Sequence, residues 1–253
     1  DDRVKAFICT QDLKDEEYIN KHYVIMATKK GQVKKTSLEQ YSRPRTNGIN
    51  AITIKEDDEL LEAKLTNGDS QVMLAVRSGK AIRFEEGKTR PMGRNASGVR
   101  GITLADDKDE VVGMISVEDF NSDILVVSEN GYGKRSSLED YRITNRGGKG
   151  VKTISITEKT GSLVAIKNVS DDEDIMIINK SGIVIRMEVA NLRVMGRATQ
   201  GVRLINLKGN DAIAAVAKVL HDEDDVELME DAEKAEDAEE NPNGTTIVDD
   251  SEE

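Results

Sequence analysis

The residues in this chain able to do chemistry are cations, and they recur beside glycines at matching places. Four glycine-centred boxes carry them: RPRTNGINAI from Arg43, MGRNASGVRGI from Met92, TNRGGKGVKTI from Thr144 and MGRATQGVRLI from Met195. The boxes and the residues just before them hold Arg43 and Arg45; Arg90, Arg94 and Arg100; Arg142, Arg146, Lys149 and Lys152; and Arg193, Arg197 and Arg203. A second set ends the apolar run before each box: Lys34 and Lys35, Arg83, Lys134 and Arg135, and Arg186. Arginine offers a planar fork that takes two phosphate oxygens at once, and lysine offers a point charge. Glycines such as Gly147, Gly148 and Gly150 let backbone approach closely, and successive amides can form an anion-binding concavity. The chemistry written here is phosphate binding.

The windows 28–50, 77–101, 128–152 and 179–203 hold 24 Lys and Arg against 7 Asp and Glu, a net charge of +17. The chain as a whole carries −12, of which residues 221–253 carry −15, so residues 1–220 are at +3 and the body outside the windows is acidic. A positive belt on a negative body is the electrostatic footprint of a backbone binder. With one cysteine (Cys9) and two histidines (His22 and His221), neither an internal disulfide nor a Cys/His metal cage is available, and no metal or cofactor is expected. No run of 18 apolar residues exists for a membrane span, and a cytoplasmic setting is expected.

The belt must be positioned by repeats. Apolar runs rich in β-branched residues cross a glycine turn at Gly31, Gly79, Gly131 and Gly182, reading as hairpins. After each box comes an alternating strand: ELLEAKLT from Glu59, EVVGMISV from Glu110, GSLVAIKNV from Gly161 and DAIAAVAKV from Asp211. The period near 50 residues predicts an all-β, propeller-like pinwheel of four-stranded blades, with repeats at roughly 20–66, 68–118, 120–169 and 171–219. DRVKAFICT from Asp2 reads as a leading strand, the end of a repeat that begins outside this sequence, so the chain reads as a fragment. Cys9 on that strand reads as a small core residue, His22 as a loop residue, and the pairs Asp57–Asp58 and Asp106–Asp107 as turn formers. Residues 1–220 form the expected DNA-binding domain. Residues 221–253 are too acidic and apolar-poor to order, serving either solubility or competition with DNA for the belt.

No recognition helix, zinc finger or aromatic platform for single strands is present, so base readout is not expected. The pattern predicts duplex DNA bound through phosphates with little sequence preference and steep salt dependence. A curved basic rim suits bent duplex. Bending a 20–30 base-pair site costs on the order of 1–6 kcal/mol, which distributed contacts can offset. A protein-interaction propeller is the rival from another class, and the shortage of aromatic hot spots counts against it.

TNRGGKG at Thr144–Gly150 resembles the Gln-Arg-Arg-Gly-Gly-Lys-Gly box of the gyrase A family at five of seven positions. PMGRNASGVRGI, GQVKKTSLEQY and NGYGKRSSLEDYR are also similar to blades of that family's C-terminal domain. The resemblance implies a six-bladed β-pinwheel that wraps DNA with a fixed hand, so that DNA gyrase can supercoil negatively using ATP. It also implies two partners beyond DNA, the breakage-reunion domain of gyrase A and the gyrase B subunit. The isolated domain is expected to be monomeric. Catalytic residues would lie outside this chain, which is not an enzyme by itself. From the box, only Arg146, Gly147, Gly148, Lys149 and Gly150 carry over. Thr144 and Asn145 replace its first two positions, and it falls in the third repeat rather than the first. The related alternative is the C-terminal domain of the corresponding chain of topoisomerase IV.

Overall fold

The computed structural model describes residues 3–220. Each repeat opens on an antiparallel hairpin: β1 (Tyr23–Thr28) with β2 (Gln32–Ser37), β4 (Gln71–Val76) with β5 (Lys80–Glu85), β8 (Asp123–Ser128) with β9 (Tyr132–Ser137), and β12 (Glu173–Asn179) with β13 (Val184–Glu188). Valine and isoleucine favour the pleated, covered positions of these strands. The turns close on residues with positive φ; in the first, the Gly31 amide donates to the Thr28 carbonyl at 3.0 Å. The alternating segments become β3 (Leu60–Thr66), β7 (Val111–Val117), β11 (Leu163–Val169) and β15 (Ile213–Leu220), each paired with the first strand of its own hairpin.

The fourth strand of a sheet is not its own. The boxes supply two-residue strands β6 (Val99–Arg100), β10 (Val151–Lys152) and β14 (Val202–Arg203), and each joins the sheet of the preceding repeat. Thus β6 pairs with β2, β10 with β5 and β14 with β9, giving orders β3-β1-β2-β6, β10-β5-β4-β7 and β11-β8-β9-β14. The fourth sheet has three strands, β13-β12-β15. The strands β3, β7, β11 and β15 pack on one another in sequence, so the exchanged strands lie at the opposite, outer edges.

The core sits between blades rather than within them. One cluster joins Met73 and Ala81 of the second repeat to Ile124, Val126, Tyr141 and Ile154 of the third. The second and third sheets each bury both faces against neighbouring sheets, the way stacked repeats share a core. Burial pushes the Tyr141 phenol up to about 12, and its hydroxyl pairs with Thr153 Oγ1 at 2.5 Å.

Several local expectations change. The stretch from Asp2 forms no ladder over the described residues 3–10. Ala6 and Ile8 instead pack their side chains on the first repeat, and alternation does not distinguish such a cover from a paired strand. That parity turns Phe7 and Cys9 outward, so Cys9 is exposed rather than core. A short helix, α1 (Glu16–Lys21), follows, its N-terminal amides capped by Asp15 Oδ1. His22 caps its C-terminal end and lies 4.2 Å from the Tyr18 ring. The turn aspartates act through main-chain amides: Asp58 Oδ1 accepts from Lys30 and Glu59, and Asp106 Oδ1 from Lys108 and Asp109. The acidic segment 221–253 lies outside the described residues. Among those described, no helix is long and apolar enough to cross a membrane.

Candidate nucleic-acid interface

Because the box strands form the outer edges, their cations face outward. Arg100, Lys152 and Arg203 end β6, β10 and β14 and are exposed. Arg90, Arg142 and Arg193 stand ten residues before them and are exposed as well, as are Arg43 and Arg45 in the first repeat. The half-buried box arginines connect one box to the next. Arg94 Nη1 donates to the Asn50 carbonyl (3.2 Å), Arg146 Nη1 to Arg100 (3.0 Å) and Arg197 Nη1 to Lys152 (2.8 Å). Each accepting carbonyl lies two residues past the box glycine of the preceding repeat, so the rim is a continuous hydrogen-bonded string.

TNRGGKG shows how a box is set. The Gly147 amide donates to the Gly101 carbonyl (2.6 Å), and Gly148 accepts from the Thr103 amide (2.9 Å). A Cβ on Gly150, at φ +70°, would meet the Ala81 carbonyl oxygen at 2.6 Å, so only glycine permits this approach. Lys149 is exposed, and a cleft of about 230 Å³ opens beside it between Arg83, Arg142, Asn145 and Gly148. Three cations, Arg83, Arg142 and Lys149, meet a glycine backbone at this cleft, an arrangement chemically able to accept a phosphate.

The cations at the hairpin ends do something else. Lys34, Lys35, Lys134 and Arg135 are buried and brace the blades, while Arg83 and Arg186 are half-buried, Arg83 also reaching the cleft beside Lys149. Lys35 Nζ pairs with Glu86 of the next repeat at 2.7 Å and lies 4.1 Å from the Tyr23 ring centroid. Arg83 Nη1 donates to the Leu138 and Tyr141 carbonyls (2.7 and 3.0 Å), and Arg135 reaches Asp123, Asp171 and the Val189 carbonyl. Arg186 Nε pairs with Asp174 at 2.6 Å. In the first three repeats the hairpin end meets the corner of the next repeat, and a long basic side chain reaches across that joint, whereas Arg186 pairs within its own hairpin.

Lys34 donates to the Ala51 and Arg94 carbonyls, and Lys134 to the Gly196 carbonyl (2.7 Å) and Thr199 Oγ1 (3.3 Å). Burial lowers both ammonium groups to about 8, helped by Arg94 at Lys34 and by Arg197, against Asp140, at Lys134. The folded pKa lies below the unfolded one, so between about 8 and 10.5 the folded chain binds fewer protons and gains stability as pH rises. The unfolding free energy of the native chain, minus that of Lys34→Met/Lys134→Met, is expected to grow across this window in denaturant titrations. A flat difference would contradict it.

Spacing did not single out Lys159. Its ammonium lies 5.4 Å from the Tyr132 ring centroid, and Arg203 Nη2 donates to the Tyr132 hydroxyl at 2.8 Å. Lys159 falls outside the boxes, so no repeat signal marks it.

Sheets that exchange box strands, share cores and carry a cationic outer edge define a propeller-like repeat protein built to hold a polyanion. The family model for the DNA gyrase C-terminal domain, beta-propeller, matches residues 22–67, 71–118, 122–170 and 173–219, and the chain belongs to that family. It is 43% identical over 251 residues to the A subunit of DNA gyrase from Staphylococcus aureus strain MRSA252, covering 98% of this chain and 28% of that protein. Against the same protein of strain NCTC 8325 it is 45% identical over 227 residues, covering 89% of this chain and 25% of that protein. The chain thus spans about a quarter of the length of these relatives. Among solved structures, a DNA gyrase A C-terminal domain matches with TM-score 0.71 at 26% identity, over 79% of this chain and 67% of that one. A C-terminal domain of DNA topoisomerase IV matches in fold, with TM-score 0.76 at 23% identity, over 85% and 67%.

Proposed function

We propose that this chain binds duplex DNA without sequence preference and wraps it along the outer edges of its blades. The observation that carries this reading is the recurrence of exposed cations at equivalent rim positions, Arg90, Arg142 and Arg193 with Arg100, Lys152 and Arg203. A bound duplex would follow the curve of the blades, its phosphates held by these side chains and by the cleft beside Lys149. The gyrase A relatives support a place in a type II topoisomerase. There the chain would act with the breakage-reunion domain and gyrase B, and wrapping would give ATP-driven strand passage its negative sign. The same role in topoisomerase IV is the second reading, favoured by the fold match to that enzyme's C-terminal domain.

The test is a change in linking number. Closed circular DNA is relaxed by an independent type I topoisomerase with increasing amounts of the chain, then deproteinised. A linking-number shift that grows with protein and shrinks in Arg142→Ala/Lys149→Ala is expected. Binding with no shift would reduce the chain to a backbone clamp, and no binding would sink the reading.

A further inference from the structure

We infer that Pro91, Ile143 and Val194 form an apolar row on the rim that packs on deoxyribose, giving DNA binding a salt-independent part and a preference for DNA over RNA. The inference rests on the proposed reading of the rim as a duplex-DNA surface, and adds to it contacts that no phosphate makes.

The three residues occupy one structural position. Each makes an isolated parallel bridge to the second strand of the preceding hairpin, Pro91 to Lys35, Ile143 to Arg83 and Val194 to Arg135. In each case the next amide, of Met92, Thr144 or Met195, donates to the carbonyl of the bridged residue at 2.8 Å. The bridged strands are β2, β5 and β9, on the edge that also takes β6, β10 and β14. Each of these joints has a described repeat on both sides. All three side chains are exposed, Ile143 by 47% and Val194 by 53%, and none of them joins a hydrophobic cluster.

A single exposed apolar residue needs no explanation. Three at equivalent positions do, and each stands between two arginines: Arg90 and Arg94, Arg142 and Arg146, Arg193 and Arg197. The bridge is made by backbone, so the fold itself asks for no apolar side chain there. The flanking charges point to what covers the row. A protein partner docking on it would have to strip water from the guanidinium groups without neutralising them. A nucleic acid brings phosphates for the arginines, and between successive phosphates it brings a sugar with an apolar C–H face. Backbone contacts of DNA-binding proteins go to phosphate and sugar alike. Deoxyribose loses its water against Ile143 or Val194 at no polar cost. Ribose does not, because its extra hydroxyl would face a side chain with nothing to pair. Counterion release fades as salt rises, whereas apolar burial persists.

Fluorescence anisotropy on a short duplex DNA and on duplex RNA of the same sequence, each across a salt series, tests the row. Ile143→Ser/Val194→Ser removes apolar groups and no charge. It is expected to weaken DNA binding on the order of tenfold at every salt concentration, with the salt slope unchanged. RNA binding should hold, so the ratio of the two affinities falls by the same factor. Ile143→Leu/Val194→Ile should keep the native ratio, with matching melting temperatures throughout. A flatter slope in the serine variant would mean that the row only positions arginines, and would overturn the inference. So would an unchanged DNA affinity, or equal losses on DNA and RNA. In those cases the native chain's DNA binding and linking-number shift still stand, whereas a chain that binds no DNA removes the rim reading and this inference together.

Discussion

Replacing Glu86 with alanine is expected to lower the unfolding free energy by about 3–5 kcal/mol, the usual cost of leaving one partner of a buried ion pair alone. Glu86 is fully buried, and its carboxylate accepts from Lys35 Nζ (2.7 Å), Thr66 Oγ1 (2.8 Å) and Ser70 Oγ (2.5 Å). Without it, the Lys35 ammonium remains inside the first joint beside Tyr23 with its charge uncompensated, and two hydroxyls lose their acceptor. For a folded body of this size, that loss moves Tm down by about 6–20 °C. Lys35→Met/Glu86→Leu should recover most of the deficit, because replacing both charges by apolar groups removes the stranded ion; about 1–3 kcal/mol stays lost through the two unsatisfied hydroxyls. Calorimetry on the single and double variants reads both values. A Glu86→Ala loss below about 1 kcal/mol would mean that water enters the joint and solvates Lys35.

This joint shows where the sequence was legible and where it was not. Repeats, hairpins and third strands could be read because β-branched runs and turn glycines are local signals. The exchange of box strands could not be read. Val99–Arg100 is two residues long, and which sheet takes it is decided by contacts across repeats. The same gap misplaced the hairpin-end cations. A cation at the end of an apolar run looks the same whether it meets water or a carbonyl of the next blade, so Lys34, Lys35, Lys134 and Arg135 read as rim residues although they are buried. Glu86 carries the clue in retrospect. It stands where the other repeats have Leu38, Leu138 and Val189, all buried, and an acid in an apolar position needs an internal partner. Arg100, Lys152 and Arg203 sit instead on outer edge strands and are exposed, although Arg203 also donates to Tyr132 and Asn206.

Neutralising those three tests the rim where its geometry is most regular. Each phosphate contact releases counterions and contributes about 0.9 to the slope of log affinity against log salt. Arg100→Ala/Lys152→Ala/Arg203→Ala is therefore expected to flatten the slope by about 2.7 and to weaken duplex binding on the order of 10²–10³-fold near 0.1 M salt. Competing local roles make the comparison sharp. Arg203 also donates to Tyr132 and Asn206, whereas the box arginines donate to the carbonyls of Arg100 and Lys152, which alanine keeps. The string of boxes should thus survive the triple change, with the melting temperature lowered only by the loss of the Arg203 contacts to Tyr132 and Asn206. Arg94→Ala/Arg146→Ala/Arg197→Ala should behave in the opposite sense, loosening the string and lowering Tm while removing less of the salt slope. Fluorescence anisotropy on a duplex across a salt series separates the two sets. Equal slopes for the two triples would mean that DNA is held elsewhere, because the exposed cations and the bridging ones differ in what they offer a phosphate.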